Sequence, residues 1–284
     1  MKILVTGYTG QLGYDVVKEG KKRGLEMHGV GSSDLDISKE ENVKKFVNHL
    51  NPDAIIHCAA YTAVDKAEDD KDLCRSVNVN GTHYLAIAAK EINAKFMYIS
   101  TDYVFDGKGE APFKETDSPD PIGYYGLTKY GGEEIVKDLL DNWFIIRISW
   151  VFGINGNNFV KTMLRLSETR KELNVVGDQY GSPTYTFDLA RLLIDMIRTE
   201  KYGIYHVSNE GFCSWAEFAS EIFKIAKKDM KVNSISSEEY PTRAVRPKNS
   251  RMSKQKIEES GFTPLPTWQD AVERYINELT QEVE

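Results

Sequence analysis

The chain opens on a short run, KILVT, that is almost wholly apolar. It breaks at a glycine and passes into a segment with apolar residues at helical spacing that runs to about Arg23. The same rhythm recurs. DAIIHC reads as a strand, and KAEDDKDLCRSVNVNGTHYLAIAAKEI reads as one helix after it. KFMYIS is a strand, YYGLTKYGGEEIVKDLL a helix and NWFIIRIS another strand. These strands are continuously apolar rather than alternating, the pattern of a sheet covered by helices on both faces. Strand and helix in alternation predict an α/β fold, a Rossmann-type doubly wound parallel sheet.

Beyond Trp150 the rhythm loosens. NNFVKTMLRLSETRKE and TFDLARLLIDMIRTE predict helices, and GIYHVS a late strand. SWAEFASEIFKIAKK begins with Ser214 and has Glu217 three residues on, the capping-box pattern. PLPTWQDAVERYINELTQ is an amphipathic final helix. GDQYGSPT and EEYPTRAVRPKNSRMS read as loops near a site. The expected division is a cofactor-binding part over 1–153, with 179–208 and the last helix returning to it, and a smaller C-terminal substrate-binding lobe over 154–178 and 209–265.

Composition narrows the function. A chain of 284 residues suits one large domain or a main domain with a smaller partner, at about 100–200 residues per domain. With 41% apolar residues it can build a core. A net charge of −7, without a long Lys/Arg cluster, argues against a nucleic-acid partner. WFIIRISWVF is too short, and too broken by Arg147, to span a bilayer, so no membrane partner is expected. The start at KILVT lacks signal-peptide architecture. Three scattered cysteines, Cys58, Cys74 and Cys213, point to a reducing compartment. A cytoplasmic protein is expected. His28, His49, His57, His83 and His206 show no metal-ligand spacing.

Candidate chemistry starts at GYTGQLG. Gly7 suits a tight turn, Gly10 a close approach to a pyrophosphate, and Gly13 close helix–strand packing. Gln11 and Leu12 open the helix, whose free amides would bind phosphate. The spacing is G-x-x-G-x-x-G, which an ordinary strand-to-helix turn can also show. The second strand, EMHGVGSS, ends in Gly31, Ser32 and Ser33 without a carboxylate. A 2'-phosphate would therefore meet less repulsion, and NADPH is admissible beside NADH. Asp36 before Ile37 is a partner for an adenine amino group, whereas Asp34 reads as a solvated turn residue.

Tyr125 and Lys129 lie four apart on a predicted helix, on one face. An ammonium there favours a phenolate and lowers the tyrosine pKa, giving a proton donor for a carbonyl oxygen. Tyr14 and Lys18 share the spacing and read as chance. Ser100, Thr101 and Asp102, at the end of the fourth strand, complete a hydroxyl–tyrosine–lysine set. Strand alternation turns Ser100 away from Thr101.

Together these residues resemble the extended short-chain dehydrogenase/reductase superfamily, and within it the dTDP-4-dehydrorhamnose reductases. The likeness covers nearly the whole chain. GYTGQLG, AAYTAVDKAE, STDYVFDG, YGLTK, RISWVFG, NNFVKTML, GDQYGSPT and RPKNSRMS occur in order. The resemblance implies reduction of dTDP-4-dehydro-6-deoxy-L-mannose (dTDP-6-deoxy-L-lyxo-4-hexulose) to dTDP-L-rhamnose by hydride from NADPH or NADH. It implies that Thr101 holds the carbonyl oxygen, Tyr125 gives the proton, and Lys129 binds the nicotinamide ribose and tunes Tyr125. Asp102, Trp150, Thr62 and Val64 would border the sugar. Ala59, Ala60, Tyr61 and Thr62 would lie along the cofactor, with Asn78 supporting the site. Trp150 taken alone reads as a core aromatic. Arg246 reads either as a surface charge or, with Arg251, as a clamp on a nucleotide diphosphate. The resemblance also implies a homodimer, with magnesium held by glutamates at its interface. The aligned places here are Asp15 and Phe187, so no metal site is predicted. Two rivals share the motifs: a nucleotide-sugar epimerase or dehydratase, and a non-catalytic NADP-binding regulatory subunit of methionine adenosyltransferase.

Overall fold

A computed structural model describes residues 1–281. In chain order its first elements are β1 (Lys2–Thr6), α1 (Gln11–Lys22), β2 (Glu26–Val30), α2 (Glu40–Leu50), β3 (Ala54–His57), α3 (Val64–Ala67), α4 (Lys71–Arg75), α5 (Thr82–Glu91) and β4 (Lys95–Thr101). Then come α6 (Tyr124–Leu139), β5 (Trp143–Ile148), β6 (Val151–Phe152), α7 (Phe159–Ser167), β7 (Glu172–Val176), β8 (Tyr180–Gly181), β9 (Thr184–Tyr185) and α8 (Thr186–Ile197). The last are β10 (Gly203–His206), β11 (Cys213–Ser214), α9 (Trp215–Ile225), β12 (Lys231–Ile235), α10 (Gln255–Glu259) and α11 (Trp268–Gln281).

Six strands form one sheet in the order β10-β5-β4-β3-β1-β2, every neighbouring pair parallel. The chain reverses its direction of travel between β1 and β3. That is the switch point at which open α/β sheets leave a crevice at the strand carboxyl ends. One face is covered by α1 and α8, whose Val16, Val17, Leu189 and Leu193 pack on Ile3, Ile56, Met97 and Ile146. The other is covered by α2, α5 and α6 through Val43, Leu85 and Val136 on Leu4, Ile55 and Ile145. Successive strand residues thus feed opposite buried faces, which is why the strands read as unbroken apolar runs.

The predicted helix over 66–92 is not continuous. Its first turns, α3 and α4, are interrupted at 68–70, and Ser76–Gly81 widens into a π turn before α5. The interruption frees Glu68, whose Oε1 accepts the Tyr124 amide at 2.8 Å and so satisfies one open donor at the start of α6. The helix predicted through 172 stops at Ser167. Residues 172–176 form β7 instead, parallel to β12, because Leu173 and Val175 alternate into an apolar cluster.

That second cluster joins α7, α9, β7 and α11 through Met163, Phe218, Ile222, Leu173 and Val272. The final helix, expected to return to the main sheet, packs here. Conversely Ile257, Phe262 and Leu265, expected in the smaller lobe, join the main-sheet core. The boundary follows where each apolar face finds a partner, not chain order. The predicted capping box at Ser214 and Glu217 is formed in both directions. Among the described residues no helix is long and apolar enough to cross a membrane.

Phe218 is 1% exposed and meets the rings of Phe152, Phe159, Trp215 and Trp268. Phe218→Ala is predicted to lower unfolding free energy by about 3–5 kcal/mol, measured as a reduced urea midpoint with unchanged slope.

Candidate active site

The carboxyl ends of β1, β3, β4 and β5 surround a cavity of about 820 Å³. Its floor at β1 is a backbone contact. Gly7 has φ 72°, and a Cβ there would lie 2.6 Å from the Ala59 amide nitrogen. A Cβ at Gly13 would lie 2.4 Å from the Gly7 carbonyl oxygen. Any side chain at either place would push the loop, α1 and the segment after β3 apart. Gly10 caps α1 without a side-chain bond, and no acid stands in the helix's first turn. The open amides of that turn are a binding place for an anion.

Gly7, Gly10, Gln11, Leu12 and Gly13 line this part of the cavity. Gly31, Ser32, Asp36 and Ile37 line the neighbouring end. Asp36 keeps one oxygen on the Ser38 amide and hydroxyl, at 3.0 and 2.6 Å, which holds its carboxyl below the usual range. The end of β2 is not free of carboxylate. Asp34, exposed as expected of a turn residue, folds its Oδ2 back to the Gly31 amide at 2.8 Å.

Ala59, Ala60, Tyr61, Thr62 and Val64 form the middle wall. Asn78 does not line the cavity. It sits in the π turn, with its Oδ1 accepting the Tyr61 amide at 2.8 Å. Its Nδ2 donates to the Tyr61 carbonyl at 3.2 Å and to Thr128 Oγ1 at 3.0 Å. Asn78 therefore ties the wall to α6 and is a support rather than a surface for a ligand.

At the far end, Thr101, Asp102, Tyr125, Lys129 and Trp150 meet around one space. Thr101 Oγ1 donates to Asp102 Oδ1 at 3.0 Å and accepts the Tyr103 amide at 3.2 Å. Ser100 turns to the other side and donates to Glu133. Burial pushes Asp102 up to about 6, against the lowering influence of the Ser250 and Thr101 hydroxyls, and its Oδ2 has no hydrogen-bond partner among the described residues. Burial also raises Tyr125. Asp102 adds to the rise, and a hydrogen bond with Thr101 opposes it. Burial pulls Lys129 down to about 7, against the carboxylate of Glu133, and its Nζ lies 4.1 Å from the centre of the Tyr98 ring. Tyr125 thus stands above its ordinary value rather than below it as expected, because burial is the largest influence on it, as it is on Lys129. Trp150 carries φ 48°, a rare backbone state for a bulky residue. Its ring stacks on Trp215 at 3.7 Å.

Some expected members lie elsewhere. Arg246 is outside the cavity lining and bonds Tyr103 Oη at 3.0 Å and Asp65 at 2.5 Å. Arg251 bonds Asn249 and the Glu110 carbonyl and covers the Tyr180 ring. The two arginines are spent on different neighbours, so they form no shared clamp here. Tyr14 stacks on Tyr8 and Lys18 pairs with Glu278. Asp15 is closed off by Thr186 at 2.5 Å and burial pushes it up to about 6. Phe187 supplies no ligand atom. Among the described residues no group of three His, Cys, Asp or Glu is placed to hold a metal.

Sequence reading missed Glu133, Arg147 and Tyr103. An arginine amid an apolar strand was the available signal for the first two, since such a charge needs a buried partner. Tyr103 lines the cavity and is held by Arg246.

A glycine cradle at the first turn of this sheet and a tyrosine–lysine helix beside its fourth strand define a dehydrogenase/reductase of the extended short-chain class. The chain belongs to the family described as the RmlD substrate binding domain, whose model matches residues 1–281. It is 42% identical to a dTDP-4-dehydrorhamnose reductase of Aggregatibacter actinomycetemcomitans, over 95% of this chain and 97% of the relative. It is also 42% identical to the spore coat polysaccharide biosynthesis protein SpsK of Bacillus subtilis, over 98% and 97%. The crystal structure of dTDP-4-dehydrorhamnose reductase from Bacillus anthracis in complex with NADP is 43% identical. It superimposes with a TM-score of 0.95 over 98% of this chain and all (100%) of that one.

Asp102, 3% exposed, has a folded pKa of about 6 against an ordinary 3.8. Because the folded value is raised, stability tied to the neutral form is full below pH 4 and is lost as pH rises through 6. Asp102→Asn is predicted to gain roughly 1–3 kcal/mol over the parent at pH 7.5, a gain that vanishes near pH 3.5. Urea unfolding at the two pH values measures it.

Proposed function

We propose that the protein reduces the ketone of dTDP-4-dehydro-6-deoxy-L-mannose to give dTDP-L-rhamnose, with NADPH as the preferred donor and NADH as the alternative. One observation carries the reading: Thr101, Tyr125 and Lys129 converge at one end of a cavity whose other end is the glycine cradle. The cradle fits a dinucleotide. Gly7 and Gly13 leave no room for a Cβ, and the uncapped start of α1 offers amides to a pyrophosphate. Ser32 offers a hydroxyl beside Gly31, although Asp34 stands close by, and the NADP bound to the Bacillus anthracis relative supports NADPH as the donor.

When bound, a reduced nicotinamide supplies hydride to the ketone carbon. The protein's own residues handle the oxygen. Tyr125, neutral because burial holds its proton, gives that proton to the oxygen as charge develops there. Thr101 offers the same oxygen a hydrogen bond. Lys129 binds the nicotinamide ribose and, when charged, favours loss of the Tyr125 proton. Asp102, with its unpartnered Oδ2, meets a sugar hydroxyl. Trp150 and Val64 close the walls around the ring. Ketone, hydride and proton together give the alcohol, so the step balances.

The aromatic cluster of α7 and α9 lies against Trp150. We assign the nucleotide end of the substrate to this side, with residues 154–178 and 209–235 as its lobe. Magnesium is not part of the proposal. Asp15 is occupied by Thr186, and Phe187 carries no oxygen.

Tyr125→Phe is predicted to lower kcat at least 100-fold while NADPH binding persists, followed by absorbance with enzymatically made substrate and each cofactor separately. Oxidation by the parent, lost in the variant, supports the reductase. Tight cofactor binding without oxidation of either cofactor would overturn it and favour another sugar substrate or a regulatory subunit.

A further inference from the structure

The helix that carries Tyr125 and Lys129 carries a third functional group one turn further on. Tyr125, Lys129 and Glu133 are spaced by four and share one face of α6. Glu133 is 0% and Arg147 1% exposed. Arg147 Nε donates to Glu133 Oε1 at 2.9 Å and Nη2 to Oε2 at 2.7 Å. Ser100 Oγ donates to Oε1 at 2.5 Å. Both Ser100 and His206 stand opposite Arg147 in the sheet register.

A wholly buried ion pair is a poor way to gain stability. Desolvation of both charges offsets their attraction, and apolar groups of similar volume often do as well. Placed beside a buried lysine, however, the pair has a distinct effect. Three groups favour the Lys129 ammonium: Glu133, Cys58 and Cys74. Burial pushes the Cys58 thiol up to about 12 and raises Cys74, so neither carries charge near neutrality. His57, on β3, is held neutral by burial and by Lys129. Tyr98, on β4, is raised by burial. Asp102 and Tyr125 face one another at the cavity end. Behind the pair, His206 is kept neutral by burial and Arg147, and Glu115 is raised by burial. Glu133, held bidentately by the Arg147 guanidinium, is the carboxylate acting on Lys129 from the packed side.

We infer that Glu133 is a positioning residue for Lys129: its carboxylate, one turn along the same helix face and fixed by Arg147 and Ser100, favours the charged lysine beside Tyr125. Arg147 acts at one remove. It fixes the Glu133 carboxylate and tempers the field that Lys129 feels. This rests on the reductase reading for the roles of Lys129 and Tyr125.

The test is the alkaline limb of two profiles, kcat against pH and NADPH affinity against pH, the second read by fluorescence without turnover. Glu133→Gln leaves Arg147 unopposed, disfavours the ammonium, and is expected to move both limbs down by about one pH unit. Arg147→Met leaves the carboxylate uncompensated and is expected to move them up. Arg147→Lys keeps the charge and is expected to stay near the parent. A role confined to packing would not produce shifts of opposite sign. Limbs that stay in place, or that move together in both single variants, would overturn the inference. If a single variant fails to fold, Glu133→Gln/Arg147→Met decides. Its limb is expected below the parent's, because Glu133 shares a helix face with Lys129 and acts on it while Arg147 acts through Glu133, and coincidence with the parent would overturn the inference. A parent that binds NADPH but does not oxidise it with the substrate sinks the reductase reading, while the affinity profiles still decide the role of Glu133.

Discussion

Arg147 stands in β5 among Phe144, Ile145, Ile146 and Ile148, and its charge is answered inside the protein rather than by water. The answer is the bidentate bond to Glu133, and much of the site's geometry follows from it. A guanidinium left unpaired at that depth would cost several kcal/mol, so the observed rotation of α6, which brings Glu133 to Arg147, is favoured. That rotation sets Lys129 over Tyr98 and turns Tyr125 toward Thr101. It also brings Thr128 to Asn78, whose amide fixes the Tyr61 backbone. One buried pair thus orients two walls of the cavity.

The sheet supplies the other constraint. Between β1 and β3 the chain leaves in opposite directions, so two loops diverge and a crevice opens at their base. The glycine loop fills one side with backbone alone. Ala59 presses against Gly7 from the other. With no side chain between them, the start of α1 stays open to an anion. The same sheet order carries β4 and β5 one and two places further, which sets Thr101 and Trp150 at a fixed reach from the phosphate end. The long shape of the cavity follows from the strand order rather than from any single residue.

Much of this was legible beforehand. Continuous apolar strands announce a sheet buried on both faces, and glycines at 7, 10 and 13 announce a close backbone approach. The Tyr125–Lys129 spacing requires only a helix. What escaped reading depended on partners distant in sequence. The bend at 68–70 exists because Glu68 reaches Tyr124, 56 positions away. The strand at 172–176 exists because 231–235 lies beside it. Arg246 and Arg251 lie five positions apart in one loop and look like a clamp, yet each finds a different neighbour, at Tyr103 and at Asn249. Helix periodicity carries no information about such pairings. Arg147 entered the reading only as a break in an apolar run, although a charge in such a run calls for a buried partner.

The protonation states at the cavity end share one cause. Burial raises Asp102, raises Tyr125 and lowers Lys129, so each is pushed toward its neutral form. For the proton donor proposed at Tyr125, neutrality is the competent state, and desolvation favours it. An ammonium beside it then has a different task. It lowers the cost of the phenolate left behind once the proton has gone. Burial works against that charge, and the thiols near it are too weakly acidic to restore it. On the proposed reading, a carboxylate one helical turn away, itself held by an arginine, offsets part of that loss. On the proposed reading the tyrosine and the lysine need opposite electrostatic treatment a single turn apart, and the Glu133–Arg147 pair is the group placed to separate them.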